Sequence, residues 1–458
     1  MNGSTWIVAS EAVAGIDHYD TIFLLPTSAR RPAPDHTSSD LAARASGQVT
    51  KLAGSSEFLW TTMTEQSGST VQMLVDQAYQ AFDVEDPIAL RRSVETWAIS
   101  LASIGLVRIV EDDATNKLPF ADTRTTPATR NSYDRPSGAM MSQNEWGLMA
   151  HALVHGIARD IGARAISIKG PVLEHYGLRP PRQSTDADVW IDEAHREAVT
   201  LTLEGQGWEK RRDRGENQAR VLPDHSATYF HPSWPVDIDV HWWFPGFGVD
   251  GTAAFERIWA RRTSMQAAGS PITIPSIVDA AAIQMLHCAK QTTSLDRVHE
   301  FAGAIQRVKA WPAYRLDELV DRLVELNATD PLQAAFEAAD IAHLENQWTP
   351  RERLRWSFAA ETDQSGSTAA ILYQLWNAPW TRKPRGLREA IWPNKAELIA
   401  TDMQHDSSKK HVRAIRYQRW IRGMRALPEA AAALARLVLR SSRVTHNGQA
   451  ANRDEGAR

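Results

Sequence analysis

Two short runs in the middle of the chain alternate aspartate with aliphatic residues. The first is Asp186-Ala187-Asp188-Val189-Trp190-Ile191, and the second is Val236-Asp237-Ile238-Asp239-Val240-His241. With residues 187–191 as a strand, Asp186 and Asp188 project from one face, and the second run likewise aligns Asp237, Asp239 and His241. Aspartate is poorly suited to a strand interior, so two such runs are more than solvated faces. Carboxylates held this close repel one another, and the remedies are protonation of one or a hard cation between them. A third carboxylate from a neighbouring strand completes a site for Mg²⁺, which binds oxygen ligands together with substrate phosphates. A pair of such ions can stabilise both the attacking and the leaving oxygen. The residues alone leave open whether Asp237 or Asp239 is that third ligand.

The first run has cationic company. A helix expected over 145–160 leads into an apolar stretch at 165–168, which ends in Lys169-Gly170-Pro171, and Arg179 and Arg182 follow before Asp186. Other candidates carry less. His225, His231 and His241 match no compact zinc spacing and have no cysteine near them. His287 and Cys288 fall in an apolar helical stretch at 278–289, where core packing is the better reading. Residues 409–425 repeat arginine every three positions among Tyr417 and Trp420, a basic stripe whose default is a solvated helical face. No P-loop, Rossmann or nucleophile-elbow motif is present.

The elements that must position these residues divide the 458-residue chain into parts. A net charge of −4 argues against a nucleic-acid partner held by a global basic field. A single cysteine excludes an intramolecular disulfide framework. The first residues show no signal peptide, and no stretch approaches the ~20 apolar residues of a membrane span, so a cytoplasmic protein without a membrane partner is expected. Seventeen tryptophans imply large aromatic cores. Polar, proline-containing stretches at 28–40 and 112–143 read as loop and linker. The expected division is residues 1–111, a linker at 112–143, a core at 144–255, a mainly helical region at 256–440 and a disordered tail at 441–458. Within 1–111, strands are expected at 21–25, 48–53 and 106–110. Three helices lie between the last two: one capped by Ser55 or Ser56, one by Ser69 or Thr70, and one opened by Asp86-Pro87. The third carries Leu90, Val94 and Trp97 on one stripe. Strands followed by three helices make a small winged-helix-like unit, and the overall class is α+β.

Two resemblances sharpen this. Gly54-Ser-Ser-Glu-Phe-Leu-Trp60, Gly68-Ser-Thr-Val-Gln-Met-Leu-Val75 and Leu101-Ala-Ser-Ile-Gly-Leu-Val107 resemble PqqD-like peptide chaperones, the recognition elements for precursors of ribosomally made, modified peptides. The likeness covers roughly residues 10 to 111, and the insertion at 28–40 departs from the compact pattern. It implies that a leader peptide adds as a strand along Val49 and Lys51 and lies against Leu90, Val94 and Trp97 of the third helix. This would be β-augmentation. The second likeness rests on Ile168-Lys169-Gly170, Arg182-Gln-Ser-Thr-Asp186-Ala-Asp188, Asp224-His225 and Asp239-Val-His241-Trp242. These resemble the polymerase-β superfamily of nucleotidyltransferases, in its uncharacterised bacterial branch where Lys-Gly replaces Gly-Ser. The implied metal ligands and catalytic groups are Asp186, Asp188 and Asp239. Lys169, Gly170, Arg182 and His241 are the implied nucleotide-binding residues.

The expectation is therefore a Mg²⁺-dependent enzyme, with two ions and a nucleoside triphosphate as co-substrate. It would modify a precursor peptide held through its leader. Two alternatives stand beside it: transfer to another protein, an RNA or a small molecule, and a peptide chaperone that only binds nucleotide.

Overall fold

The computed structural model describes residues 5–10, 13–18, 21–27, 48–111 apart from 67, 83 and 85, 141–211, 225–290, 295–349, separate positions between 352 and 392, and 409–455. The expected loop at 28–40, most of the 112–143 linker and Asp224 lie outside them.

Among its described residues, the first part holds two antiparallel sheets and three helices. In one sheet β1 (Thr5–Ala9) lies between β5 (Ser69–Thr70) and β6 (Val107–Glu111). In the other, β3 (Thr21–Pro26) lies between β2 (Val13–His18) and β4 (Thr50–Ala53). The helices are α1 (Ser55–Glu65), α2 (Val71–Ala81) and α3 (Pro87–Ser103). Thr70 caps α2 by accepting from the Met73 N–H, and Asp86 caps α3 by accepting from Ile88 and Ala89. The expected serine cap of α1 is absent. Gly54 stands at that position with φ 60° and no side chain to offer, so Ser55 and Ser56 open the helix itself. Leu59, Trp60, Leu74, Val94 and Leu101 converge between the helices as this part's own core.

The central sheet runs β7 (Ala165–Ser167), β8 (Asp186–Ile191), β11 (Asp237–His241), β10 (Ser226–Phe230), β9 (Glu209–Lys210). Only β8 and β11 are parallel. Alternation sorts their side chains. Ala187, Val189, Ile191, Ile238 and Val240 pack with Met149, Leu153 and Ile157 of α4 (Gln143–Ile161), which leaves the acidic positions on the opposite face. A capping box of Ser142 and Glu145 starts α4, and Gly162 at φ 74° ends it. Short α5 (Pro171–His175), α6 (Arg196–Gly205) and α7 (Gly251–Ala260) surround the sheet in sequence.

Beyond residue 256 the chain is not simply helical. A hairpin of β12 (Thr263–Ala267) and β13 (Ser270–Ile274) precedes α8 (Ile277–Ala289), α9 (Leu295–Lys309), α10 (Ala313–Glu325) and α11 (Gln333–Ala338). Its polar alternation hid it from the helical reading. This hairpin receives the N-terminal sheet: Gly15 N–H donates to Ala268 O at 2.8 Å, and Ser270 Oγ to Val13 O at 3.3 Å. Ala14, Ile16, Phe23 and Leu25 share a cluster with the α4 residues. Gly156 makes the approach possible, since a Cβ there would stand 2.3 Å from Thr27 O. A buried Arg322–Asp279 pair at 2.5 Å ties α10 to α8. Later come α12 (Lys383–Ile391) and α13 (Lys409–Glu455), whose helical backbone enters the segment expected to be a disordered tail. Among the described residues no helix is long and apolar enough to cross a membrane.

Candidate functional site

The parallel register of β8 and β11 sets Asp186 opposite Asp237 and Asp188 opposite Asp239. Four carboxylates therefore share one face of two adjacent strands, and their partners distinguish them. Arg211 grips Asp237 with two hydrogen bonds, Nε to Oδ2 at 2.7 Å and a second guanidinium nitrogen to Oδ1 at 2.9 Å. Asp239 has the Thr228 hydroxyl, which the β10–β11 register places opposite it. Asp188 Oδ1 accepts from Lys169 Nζ at 2.5 Å and from His241 Nε2 at 2.9 Å. Among the described residues, Asp186 has the Ser184 hydroxyl at 3.3 Å as its side-chain partner.

Their acidities follow. Burial alone would raise Asp188, yet the Lys169 ammonium and His241 hold it well below the ordinary carboxylate range. Asp186 moves the other way, to about 7, first because Asp188 is beside it and then through burial and Asp239. Burial, followed by the charge of Asp188, also raises Asp239. Lys169 loses by burial but is raised on balance by Asp188, Asp239 and Asp186. Three carboxylates thus face one ammonium, and the excess negative charge is what a divalent cation would offset. Ligand atoms of Asp188, Asp239 and His241 lie within 4.8 Å of one another, so this donor set fits such an ion.

Lys169 and Gly170 arrive here because β7 ends beside β8, where the Ile168 N–H donates to Asp188 O at 3.1 Å. Gly170 takes φ 61° and ψ −125°, a conformation that suits a residue without Cβ. Arg182, expected to meet the nucleotide, has its guanidinium paired with Glu300 of α9 at 2.8 Å. His231 packs against Trp208, away from His241, which removes the zinc grouping. Cys288 is buried, and Gln284 Nε2 donates to its Sγ at 3.4 Å. On the other side of Lys169 a small cavity opens, lined by His225, His241, Phe244, Leu286, His287 and Lys290.

Sequence reasoning missed a group behind the turn. His151 and His155, one helical turn apart on α4, both bond Ser167 Oγ, at 2.8 Å through Nδ1 and 3.0 Å through Nε2. The Thr273 N–H meets His155 Nδ1 at 3.4 Å, which puts the His155 proton on Nε2 and turns the Ser167 hydroxyl toward His151. Burial lowers His151 to about 4, and burial with the neighbouring His151 and Arg159 lowers His155 to about 3. Both rings are therefore neutral near pH 7. Two histidines four apart in an apolar helix were the available signal.

Of the five expected peptide contacts, Lys51 is exposed on β4, while Leu90 and Trp97 are half-buried on α3. Val49 is half-buried and packs toward the central cluster. Val94 is completely buried in the N-terminal core and is withdrawn as a surface contact.

Residues 149–342 match the family described as "uncharacterised nucleotidyltransferase". No curated protein matches the chain. Among solved structures, an antigenic nucleotidyltransferase-like protein from Paracoccidioides brasiliensis aligns at 14% identity and a TM-score of 0.27. The alignment covers 45% of this chain and 97% of that one, a likeness too slight to carry an argument. The family match and the paired acidic strands agree, and together they place a nucleotidyltransferase-type domain at the centre of this chain.

Proposed function

We propose that the protein is a Mg²⁺-dependent nucleotidyltransferase that modifies a ribosomally made precursor peptide, held through its leader by the N-terminal part. The observation that carries the transfer reading is the strand pair that sets Asp188 and Asp239 side by side with Asp186 at its edge. Asp186, Asp188 and Asp239 would hold the Mg²⁺, and the chemistry it would supply there is positive charge to polarise the α-phosphate and offset the departing pyrophosphate. Lys169, which lines the adjoining cavity, would meet the phosphates. Asp239, whose proton affinity is raised by its surroundings, takes the proton of the attacking hydroxyl.

The peptide reading draws support from the edge of β4 that no described strand covers. The catalytic part takes main-chain contacts from β2 at Gly15 and Val13, whereas β4 pairs only with β3 among the described residues. An added strand would run along β4 past Lys51, with Leu90 and Trp97 of α3 as further contacts. Arg182 would reach a phosphate only by leaving Glu300.

Intact-mass spectrometry tests both halves. A candidate precursor peptide is incubated with the full-length protein, Mg²⁺ and each nucleoside triphosphate in turn. A nucleotide-sized mass gain is expected, absent with Asp188→Ala. Pyrophosphate release without peptide labelling would move the acceptor to another protein, an RNA or a small molecule. Peptide binding with neither would leave a chaperone.

A further inference from the structure

Resting on the nucleotidyltransferase reading, we propose that Lys169 is a resident counter-cation that holds Oδ1 of Asp188 and competes with a divalent ion for this carboxylate. A divalent ion then binds well only together with a polyphosphate that draws the ammonium away.

The crowding at one atom carries this. Asp188 Oδ1 accepts from both Lys169 Nζ and His241 Nε2, at 2.5 and 2.9 Å, which fills both lone pairs of that oxygen. Yet Asp188 belongs to the one cluster of possible metal donors found among the described residues, with Asp239 and His241. An ion using Oδ1 must displace one of the two donors. An ion using the other oxygen of Asp188 still approaches a buried ammonium a few ångströms away, where repulsion is little screened. The side chains of Lys169 and Asp188 are only 13% and 4% exposed, so water does little to soften the contest.

Lys169 also has somewhere to go. It lines the cavity beyond the carboxylates together with His225, His241, Phe244 and Lys290, and its ammonium stands 5.8 Å from the centre of the Phe244 ring. A single phosphate oxygen reaching into that small basic cavity would offer the ammonium an anionic partner within reach of its flexible four-carbon stem. Asp188 Oδ1 would then be open to the ion that the phosphates bring. A purely structural ion pair would have no such exchange: removing its lysine would leave a buried carboxylate without gain in cation affinity.

Mn²⁺ binding to the full-length protein, followed by the loss of the free-ion electron paramagnetic resonance signal at pH 8, separates the two. Without polyphosphate, wild type and the charge-keeping Lys169→Arg are expected to bind Mn²⁺ weakly. Lys169→Met is expected to bind it at least about tenfold more tightly. Lys169→Gln repeats the test should the methionine variant fail to fold. Inorganic tripolyphosphate itself chelates Mn²⁺, so in its presence the Mn²⁺ retained by the protein is counted by equilibrium dialysis; it should rise for wild type, and the rise should shrink in the neutral variants. Folded neutral variants that bind Mn²⁺ no better than wild type would overturn the proposal. So would tight Mn²⁺ binding by wild type alone. Neither result touches the transfer reading, which fails separately if wild type binds no nucleotide and transfers none.

Discussion

Asp237 and Asp239 lie two residues apart on the same strand, point the same way, and stand opposite two aspartates that are also two apart. They nevertheless do opposite things. Asp237 is closed by a two-pronged guanidinium from Arg211, so its charge is spent on holding the chain after β9 against β11. Asp239 has a threonine hydroxyl and a second carboxylate for neighbours, and its proton affinity rises. On β11 the candidate site is thus marked by the carboxylate left without a full counter-charge. The acidic residues alone do not mark it, because structure adds the partners that silence some of them.

The largest effect should come from exchanging the roles of these two positions. Asp239→Asn keeps the shape and hydrogen-bonding reach but removes the charge, and pyrophosphate release should fall by roughly 10³ or more. Asp237→Asn should leave turnover within about tenfold and act on stability instead. Steady-state rates and melting temperatures of the two variants check this. Equal losses of turnover would erase the distinction.

The neutral imidazoles behind the Lys169–Gly170 turn sharpen the contrast, because they titrate with the opposite sign to Asp186. His151 is lowered from 6.5 to about 4, so between those values the unfolded chain binds more protons and stability falls as the pH falls. Its share is roughly 3 kcal/mol at most, and His155 adds in the same direction. Asp186 is raised from 3.8 to about 7, so over nearly the same window the folded chain holds the extra proton and stability falls as the pH rises. Wild type should therefore show a muted slope of unfolding free energy between pH 4 and 6.5. Asp186→Asn should steepen the acid loss, and His151→Gln should flatten or reverse it. Urea titrations across that range measure both slopes. Parallel curves for the two variants would refute the opposition.

Much of this arrangement was legible from the chain. Alternating aspartates in two apolar runs gave both strands and the face they share, and the Lys169-Gly170 turn appeared where an upstream strand had to stop. Asp86-Pro87 and Thr70 marked helix starts because their capping chemistry is local. What escaped depends on contacts between distant residues. Arg182 turned to Glu300, 118 residues away, and Arg211 to Asp237, which no local pattern announces. Ser167 looked like one residue of a short strand until two histidines from another element met on its hydroxyl. The β12–β13 hairpin was missed for a similar reason: its exposed positions dilute the alternation, and its partners are β7, α4 and β2. The docking of β2 and β3 on α4 depends on Gly156, whose missing side chain matters only once Thr27 is seen against it.

Arg211 offers the smallest and most selective test of the opening contrast. Its side chain is 16% exposed and that of Asp237 is 20%, so water reaches the pair but does not dissolve it. Arg211→Met should leave Asp237 partly buried and uncompensated, at a cost of about 1–2 kcal/mol. The guanidinium also lies 4.9 Å from the centre of the Phe230 ring, a contact the methionine stem replaces in part. Adding Asp237→Asn to Arg211→Met removes the orphaned charge, so the double variant should recover most of the lost stability. Turnover should follow a different course. If Asp237 is silent only because Arg211 holds it, the single variant adds an uncompensated carboxylate to the face that carries Asp186, Asp188 and Asp239. That extra charge should tighten Mn²⁺ binding modestly, by about two- to threefold, and the double variant should bring it back. A stability loss with no change in metal affinity would mean that Asp237 lies too far along the strand for its charge to reach the site, and that distance rather than pairing keeps it out of the chemistry.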